Sequence, residues 1–234
     1  MNLLYLAKCT DKLVALIASN SLSVSSTVYI SFLAVAGMGD ESVEVTVMDD
    51  IILIGPSGTG KSTLGKLLSE RLGLPQVSLD NLRWAYYAEV GFDDKLALHI
   101  RETEGFPAVI EYWARFNAHA VERILSDYHN CVIDFGAGHS IYDNAADLRR
   151  VAEALAPYRH VVLVLPSSDP DESIQILMKR QEGVAPLADM GVIGRIIEHH
   201  VKHHSNRDLA TIVIYTKSKT PEETCDELTL RLNS

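Results

Sequence analysis

The sequence predicts an α/β fold: a parallel sheet of five short strands with helices on both faces, and a phosphate-binding loop after the first strand. Two observations carry this. Apolar runs at 51–54, 74–80, 131–134, 160–165 and 211–215 alternate with helical stretches. Strands so apolar and so spaced belong to parallel sheets covered by their crossover helices. The second observation is Gly55-Pro56-Ser57-Gly58-Thr59-Gly60-Lys61-Ser62-Thr63, which fits G-x-x-x-x-G-K-S/T between the first strand and a helix expected over 61–72. That strand–loop–helix context is what the motif requires.

The loop's chemistry follows from its residues. Gly58 and Gly60 accept positive φ and let the backbone approach a phosphate. Successive N–H groups then converge on the anion, aided by the helix N-terminus. Lys61 is placed to reach the β- and γ-phosphates, and the Ser62 hydroxyl to ligate Mg²⁺. The stretch from Gly55 to Thr63 is therefore expected to hold ATP with Mg²⁺.

Length and composition bound the rest. At 234 residues and 47% hydrophobic content the chain suffices for one α/β domain with a real core. A net charge of −10 argues against a nucleic-acid binder, which needs a basic face. Cys9, Cys131 and Cys225 are scattered and odd in number, as expected of reduced thiols in the cytoplasm. Residues 13–39 carry no charge, and a membrane span or signal peptide is the competing reading. Ser19, Asn20, Ser21, Ser23, Ser25 and Ser26 interrupt the run, and an ATP-using protein belongs where ATP is. Residues 1–47 are therefore expected to be an extension of unknown role, or a start assigned ahead of Met48, with no membrane association. The domain proper is 48–234.

Within it, Leu64, Leu67, Leu68 and Leu72 recur at helical spacing before Gly73. The second strand is expected to end in Asp80. Residues 81–127 read as helical, broken at Gly91 and at 105–107, and hold most of the aromatics. Those aromatics are either helix packing or the wall of a substrate pocket. The third strand ends in Asp134, followed by a tight turn to His139. Helices are expected over 144–155, from an Asp169 or Asp171 cap to 181, over 193–204, and from Pro221 to 230.

Gly55–Thr63, continued by Leu64-Gly65-Lys66-Leu67-Leu68 and Leu72-Gly73-Leu74-Pro75, resembles the start of shikimate kinase and related P-loop small-molecule kinases. Val132-Ile133-Asp134-Phe135-Gly136-Ala137-Gly138 resembles that family's strand and three glycines, and the last strand and helix follow its pattern over 210–223. The resemblance covers about 49–234. It implies a three-layer P-loop fold with strand order 2-3-1-4-5, a mobile lid at about 180–195, an acceptor region at about 81–127, and transfer of phosphate from ATP to a small metabolite. The chain departs from the pattern on the acceptor side. Ser78 replaces the first acid of the family's Asp-x-Asp, leaving Asp80 to face the acceptor hydroxyl. Asp134 is read as taking over the magnesium role beside Ser62, against a plain capping role in its turn. Arg115 falls near a substrate-binding arginine. Lys202 stands nearest the family's carboxylate-gripping arginine, and a point charge replaces a bidentate fork poorly. Shikimate itself is not expected as the substrate.

Asp80, Arg115, Gly136, Ala137, Gly138 and His139 are thus the expected acceptor-side residues, and Lys61, Asp80, Asp134 and Arg180 the catalytic ones. Arg195 and Arg207 are further lid candidates. His199, His200, His203 and His204 pair at i, i+4, a spacing compatible with metal, but read as a polar helix face. Two alternatives stay open: a nucleotide-dependent switch or ATPase with no acceptor, and a zeta-toxin-like kinase of a nucleotide-sugar. A monomer or homodimer is expected.

Overall fold

The computed structural model describes residues 50–183 and 189–232. The expected N-terminal extension and the middle of the expected lid segment lie outside the described residues. β1 (Ile51–Ile54) is the central strand, parallel to β3 (Val132–Asp134) on one side and β4 (His160–Leu165) on the other. β2 (Gln76–Ser78) lies outside β3, and β5 (Ile212–Tyr215) outside β4. The order is β2-β3-β1-β4-β5, all parallel, as the resemblance implies.

Alternation along the strands sorts the core into two layers. Ile52, Ile54, Ile133, Val161, Leu163 and Leu165 face one side. They pack on α4 (Phe106–Asp127), α5 (Ala145–Leu155) and aromatics of α2 (Leu79–Glu89). Ile51, Leu53, Val132, Val162, Val164 and Ile214 face the other, against Leu64 and Leu68 of α1 (Lys61–Leu72) and Cys225 and Leu228 of α9 (Pro221–Leu232). Both faces are covered, which is why these strands are apolar throughout.

The expected helical stretch 81–127 is three helices. α2 ends before Gly91 (φ 92°), α3 (Asp94–Thr103) is capped by the Asp93 side chain, and Gly105 (φ 88°) precedes α4. α6 (Pro170–Gln181) is capped by Asp169, whose carboxylate accepts from the Asp171 and Glu172 N–H groups. α7 (Met190–Lys202) packs on α6 through Leu177, Ile197 and Val201. It stops earlier than the spacing suggests, because His203 turns to extended backbone (φ −66°, ψ 131°) before the short α8 (Ser205–Leu209).

One expectation is corrected where it matters. The second strand does not end in Asp80; it ends at Ser78, and Asp80 lies in the first turn of α2. Ser78 is the N-cap residue but makes no cap bond, since its hydroxyl donates instead to Asp134. The helix therefore starts two residues early and lifts Asp80 off the sheet edge.

Candidate functional site

The site lies at the carboxyl ends of β1, β2 and β3, at the switch point where parallel α/β sheets place ligands. The phosphate loop leaves β1 at Gly55, whose φ of 128° and tight seat define its sequence: a Cβ there would stand 2.6 Å from the Val164 carbonyl oxygen. Gly58 (φ 79°) and Gly60 (φ 98°) supply the expected left-handed turns, and Gly60 is the N-cap residue of α1. Lys61 is buried and folds back, donating from Nζ to the Gly55 (2.7 Å) and Pro56 (2.9 Å) carbonyls. Burial pushes its ammonium down to about 8, against the opposing pull of Asp80 and Asp134. Thr59 ties the loop to itself through the Pro56 carbonyl.

Strand register brings the second group together. Asp134 pairs across to Leu53 of β1 and to Ser78 of β2. Its carboxylate is almost fully buried, with Oδ1 accepting from Ser62 Oγ (3.2 Å) and Ser78 Oγ (3.0 Å) and Oδ2 from Gln76 Nε2 (2.6 Å). Ser62, Gln76, Ser78, Asp80 and Asp134 line one groove of about 430 Å³. A hydroxyl beside a carboxylate, in an oxygen-rich groove next to a phosphate loop, fits a hard divalent cation such as Mg²⁺. Gln76 escaped sequence reasoning, although it shares a strand face with Ser78 by the period of two.

A cavity of about 550 Å³ adjoins the loop, lined in part by Ser57, Asp80, Arg83, Tyr87, Trp113 and His139. Ala137 and Gly138 are also in its wall, and Gly136 is not. The turn after β3 is a 3₁₀ segment, Ala137–Ser140. Gly136 precedes it at a tight spot: a Cβ would lie 2.1 Å from Asp80 Oδ1 and 2.7 Å from His139 Nδ1. Gly136→Ala is therefore expected to push Asp80 out of place and cut kcat by roughly 10²-fold, the effect of a misplacement of about 1 Å. Steady-state kinetics with unchanged nucleotide affinity checks it.

His139 is buried, 3.1 Å from the Tyr87 hydroxyl. Tyr87 in turn bonds Asn117 Oδ1, and Asn117 Nδ2 donates to the Gly138 carbonyl. Burial first, then the Arg83 and Lys61 charges, push the His139 imidazole down to about 3, so it is neutral. Arg83, missed in the sequence, sits three residues after Asp80 on α2. Its Nη1 donates to Asp80 Oδ1 (2.9 Å), and its guanidinium lies 4.3 Å from the Trp84 ring and 5.4 Å from that of Trp113. The two readings of the aromatics overlap, for Tyr87 is both a core residue and part of the cavity wall, and Trp113 packs on the same core. Tyr87, Phe106 and Trp113 line the cavity, while Tyr86, Tyr112 and Phe116 belong to the core, joined there by partly buried Phe92.

Other expected residues fall differently. Arg115 is exposed on α4, its guanidinium 5.9 Å from the Tyr112 ring, and is not in the cavity wall. The helical spacing that puts Glu111 and Ala114 on the cavity side turns Arg115 away, and the arginines of the cavity wall are Arg83 and Arg195. Arg180, at the end of α6, donates from Nη1 to the Gly58 carbonyl (2.7 Å), so it reaches the phosphate loop. Arg195 lines the cavity and Arg207 does not. Lys202 is spent on Glu198 (3.0 Å) and Asp171 (3.1 Å). Among the described residues no helix is long and apolar enough to cross a membrane.

A nucleotide-phosphate loop at the head of a five-stranded 2-3-1-4-5 sheet, with an acceptor-sized cavity beside it, defines a kinase-type P-loop domain. The family model described as an AAA domain matches residues 51–194. A shikimate kinase of Streptomyces coelicolor is 32% identical over 74% of this chain and 89% of its own length. One of Xanthomonas axonopodis pv. citri is 28% identical over 78% and 91%. The solved shikimate kinase of Acinetobacter baumannii, in complex with shikimate, shares the fold at TM-score 0.55 and 20% identity, over 80% of this chain and 94% of that one. The chain belongs to this AAA-domain family and, within it, to the shikimate kinase-like P-loop kinases.

Proposed function

We propose that the chain transfers the γ-phosphoryl group of Mg-ATP to a hydroxyl of a small molecule held in the 550 Å³ cavity, and that the acceptor is not shikimate. One observation carries the reading: Asp80 belongs to the walls of both the metal-side groove and the cavity, so a single carboxylate stands between donor and acceptor. The kinase relatives support the reaction class. Against shikimate itself, the cation nearest the family's carboxylate-gripping position, Lys202, is held by Glu198 and Asp171 outside the cavity wall.

In this reading the loop N–H groups and Lys61 hold the phosphates, and Ser62 and Asp134 hold Mg²⁺. When bound there, the cation would supply neutralisation of the phosphate charge. Asp80 accepts the proton of the acceptor hydroxyl, with Arg83 fixing its orientation at 2.9 Å. Neutral His139 and the Asn117 amide offer hydrogen bonds without adding charge. Arg180 supplies positive charge from the α6 side of the loop.

Incubating the protein with Mg-ATP and a metabolite pool, then reading products by mass spectrometry, tests this. A new phosphometabolite other than shikimate 3-phosphate is expected. ATP loss with free phosphate alone would instead mark a switch or ATPase. The metal assignment has its own test. Asp134→Asn is expected to raise the Mg²⁺ concentration for half-maximal turnover by roughly 10-fold or more, and Ser78→Ala by less. The argument is that the carboxylate is a direct ligand and the serine only its support. The reverse ranking in a Mg²⁺ titration would return the metal to the second strand.

A further inference from the structure

Asp143, brought in from a distant segment, converges with the i, i+4 pair His199 and His203 on one point that the proposed reaction does not use. His199 Nε2 lies 3.7 Å from Asp143 Oδ2, and His203 Nε2 lies 3.1 Å from Asp143 Oδ1. One donor atom from each residue falls within 4.8 Å of the other two, and among the described residues no other trio of such side chains does so. Ligands about 2.0–2.1 Å from a tetrahedral ion stand about 3.3–3.4 Å apart; the 3.1 and 3.7 Å contacts run to the two oxygens of one carboxylate, so one oxygen would turn toward both histidines to complete the set.

The surroundings favour ligation over an incidental cluster. Asp143 precedes α5, but the cap is made by Asn144, whose side chain accepts from the Ala146 N–H, so the Asp143 carboxylate is left uncommitted to the helix. His203 Nδ1 is 2.8 Å from Ser205 Oγ, and that hydroxyl gives its one hydrogen to the Ser140 carbonyl at 2.7 Å. The Ser205 N–H donates to the same nitrogen at 3.2 Å, so Ser205 holds the ring from its Nδ1 side and turns Nε2 to Asp143. Support of the far ring nitrogen is the usual companion of a metal-ligating histidine, and Nε2 lies 3.1 Å from Asp143 Oδ1, where an ion would replace the ring proton.

We infer that Asp143, His199 and His203 form a site for a late first-row divalent cation, Zn²⁺ by donor type. The site borders the cavity, because Asp143 and His199 are also cavity-wall residues. The site is distinct from the magnesium groove and independent of the kinase reading.

Titration of the full chain with Zn²⁺ against a chromophoric competitor, without nucleotide, tests it. One equivalent should bind. His199→Ala and Asp143→Asn, both at exposed positions that do not threaten folding, should weaken binding by more than the roughly 10–100-fold that loss of a supporting partner costs. Ser205→Ala should fall within that range, and His204→Ala should change nothing. Co²⁺ should give a visible spectrum that His203→Ala removes. Equal Zn²⁺ affinity in wild type and His199→Ala, equal loss in His204→Ala, or no saturable binding each overturns the site.

Discussion

Lys61→Met is expected to cut turnover by roughly 10³-fold or more, the upper end of what one preorganised electrostatic contact supplies, while leaving the nucleotide-free fold as stable as wild type or more so. The two halves have one cause. Lys61 is held as a buried cation before any phosphate arrives, satisfied only by the Gly55 and Pro56 carbonyls. Lowering its titration from the ordinary 10.5 to about 8 corresponds to about 3 kcal/mol of unfavourable burial at neutral pH. The sign of the pH effect follows. Between about 8 and 10.5 the unfolded chain holds a proton that the folded chain has lost, so wild-type stability rises with pH across that window. Lys61→Met has no such group, and its urea midpoint should be flatter over the same range. A variant that kept its turnover would remove Lys61 from the chemistry. One with wild-type pH dependence of stability would deny that the burial is what stores the cost.

That strain explains why the donor half of the site was legible in the sequence. A lysine that directly follows two left-handed glycines, Gly58 and Gly60, at the start of a helix has little reason to exist except a phosphate, so residues 55–63 announce their ligand without any knowledge of the fold. Asp134 at a strand end was legible for a related reason, since apolar strands buried on both faces leave few places for an acid; the strand order came from the family resemblance alone. The acceptor half rests on helix rotation, which sequence spacing fixes only relative to a known face. Arg83 enters the cavity because Ser78 spends its hydroxyl on Asp134 and α2 starts two residues early. Arg115 leaves it because α4 turns Glu111 and Ala114 inward instead. Asp143 was invisible for a third reason. It meets His199 and His203 only through the packing of distant segments, and no local pattern encodes that meeting.

Arg180→Ala is expected to cost roughly 10³–10⁵-fold in kcat, the range for an arginine that neutralises a transferring phosphoryl group. ATP binding should weaken far less. The geometry behind this is the 2.7 Å bond from Nη1 to the Gly58 carbonyl. It places an exposed cation at the mouth of the loop, from a helix end that Gly58 is shaped to receive. A Cβ on Gly58 would stand 3.2 Å from Gln181 Nε2 and 3.6 Å from a Leu177 methyl. The charge is anchored by the α6–α7 seam of Leu177, Ile197 and Val201, separate from the two layers on the sheet. Charge alone and fork geometry are separable by Arg180→Lys. If the guanidinium bridges two phosphate oxygens, the lysine variant should recover little of the loss; recovery to near wild type would mean that a point charge suffices. Arg195→Ala is the control within the cavity wall. If its kcat falls further than that of Arg180→Ala, with KM for ATP unchanged, the stabilising cation comes from α7 and the Gly58 contact is only a latch.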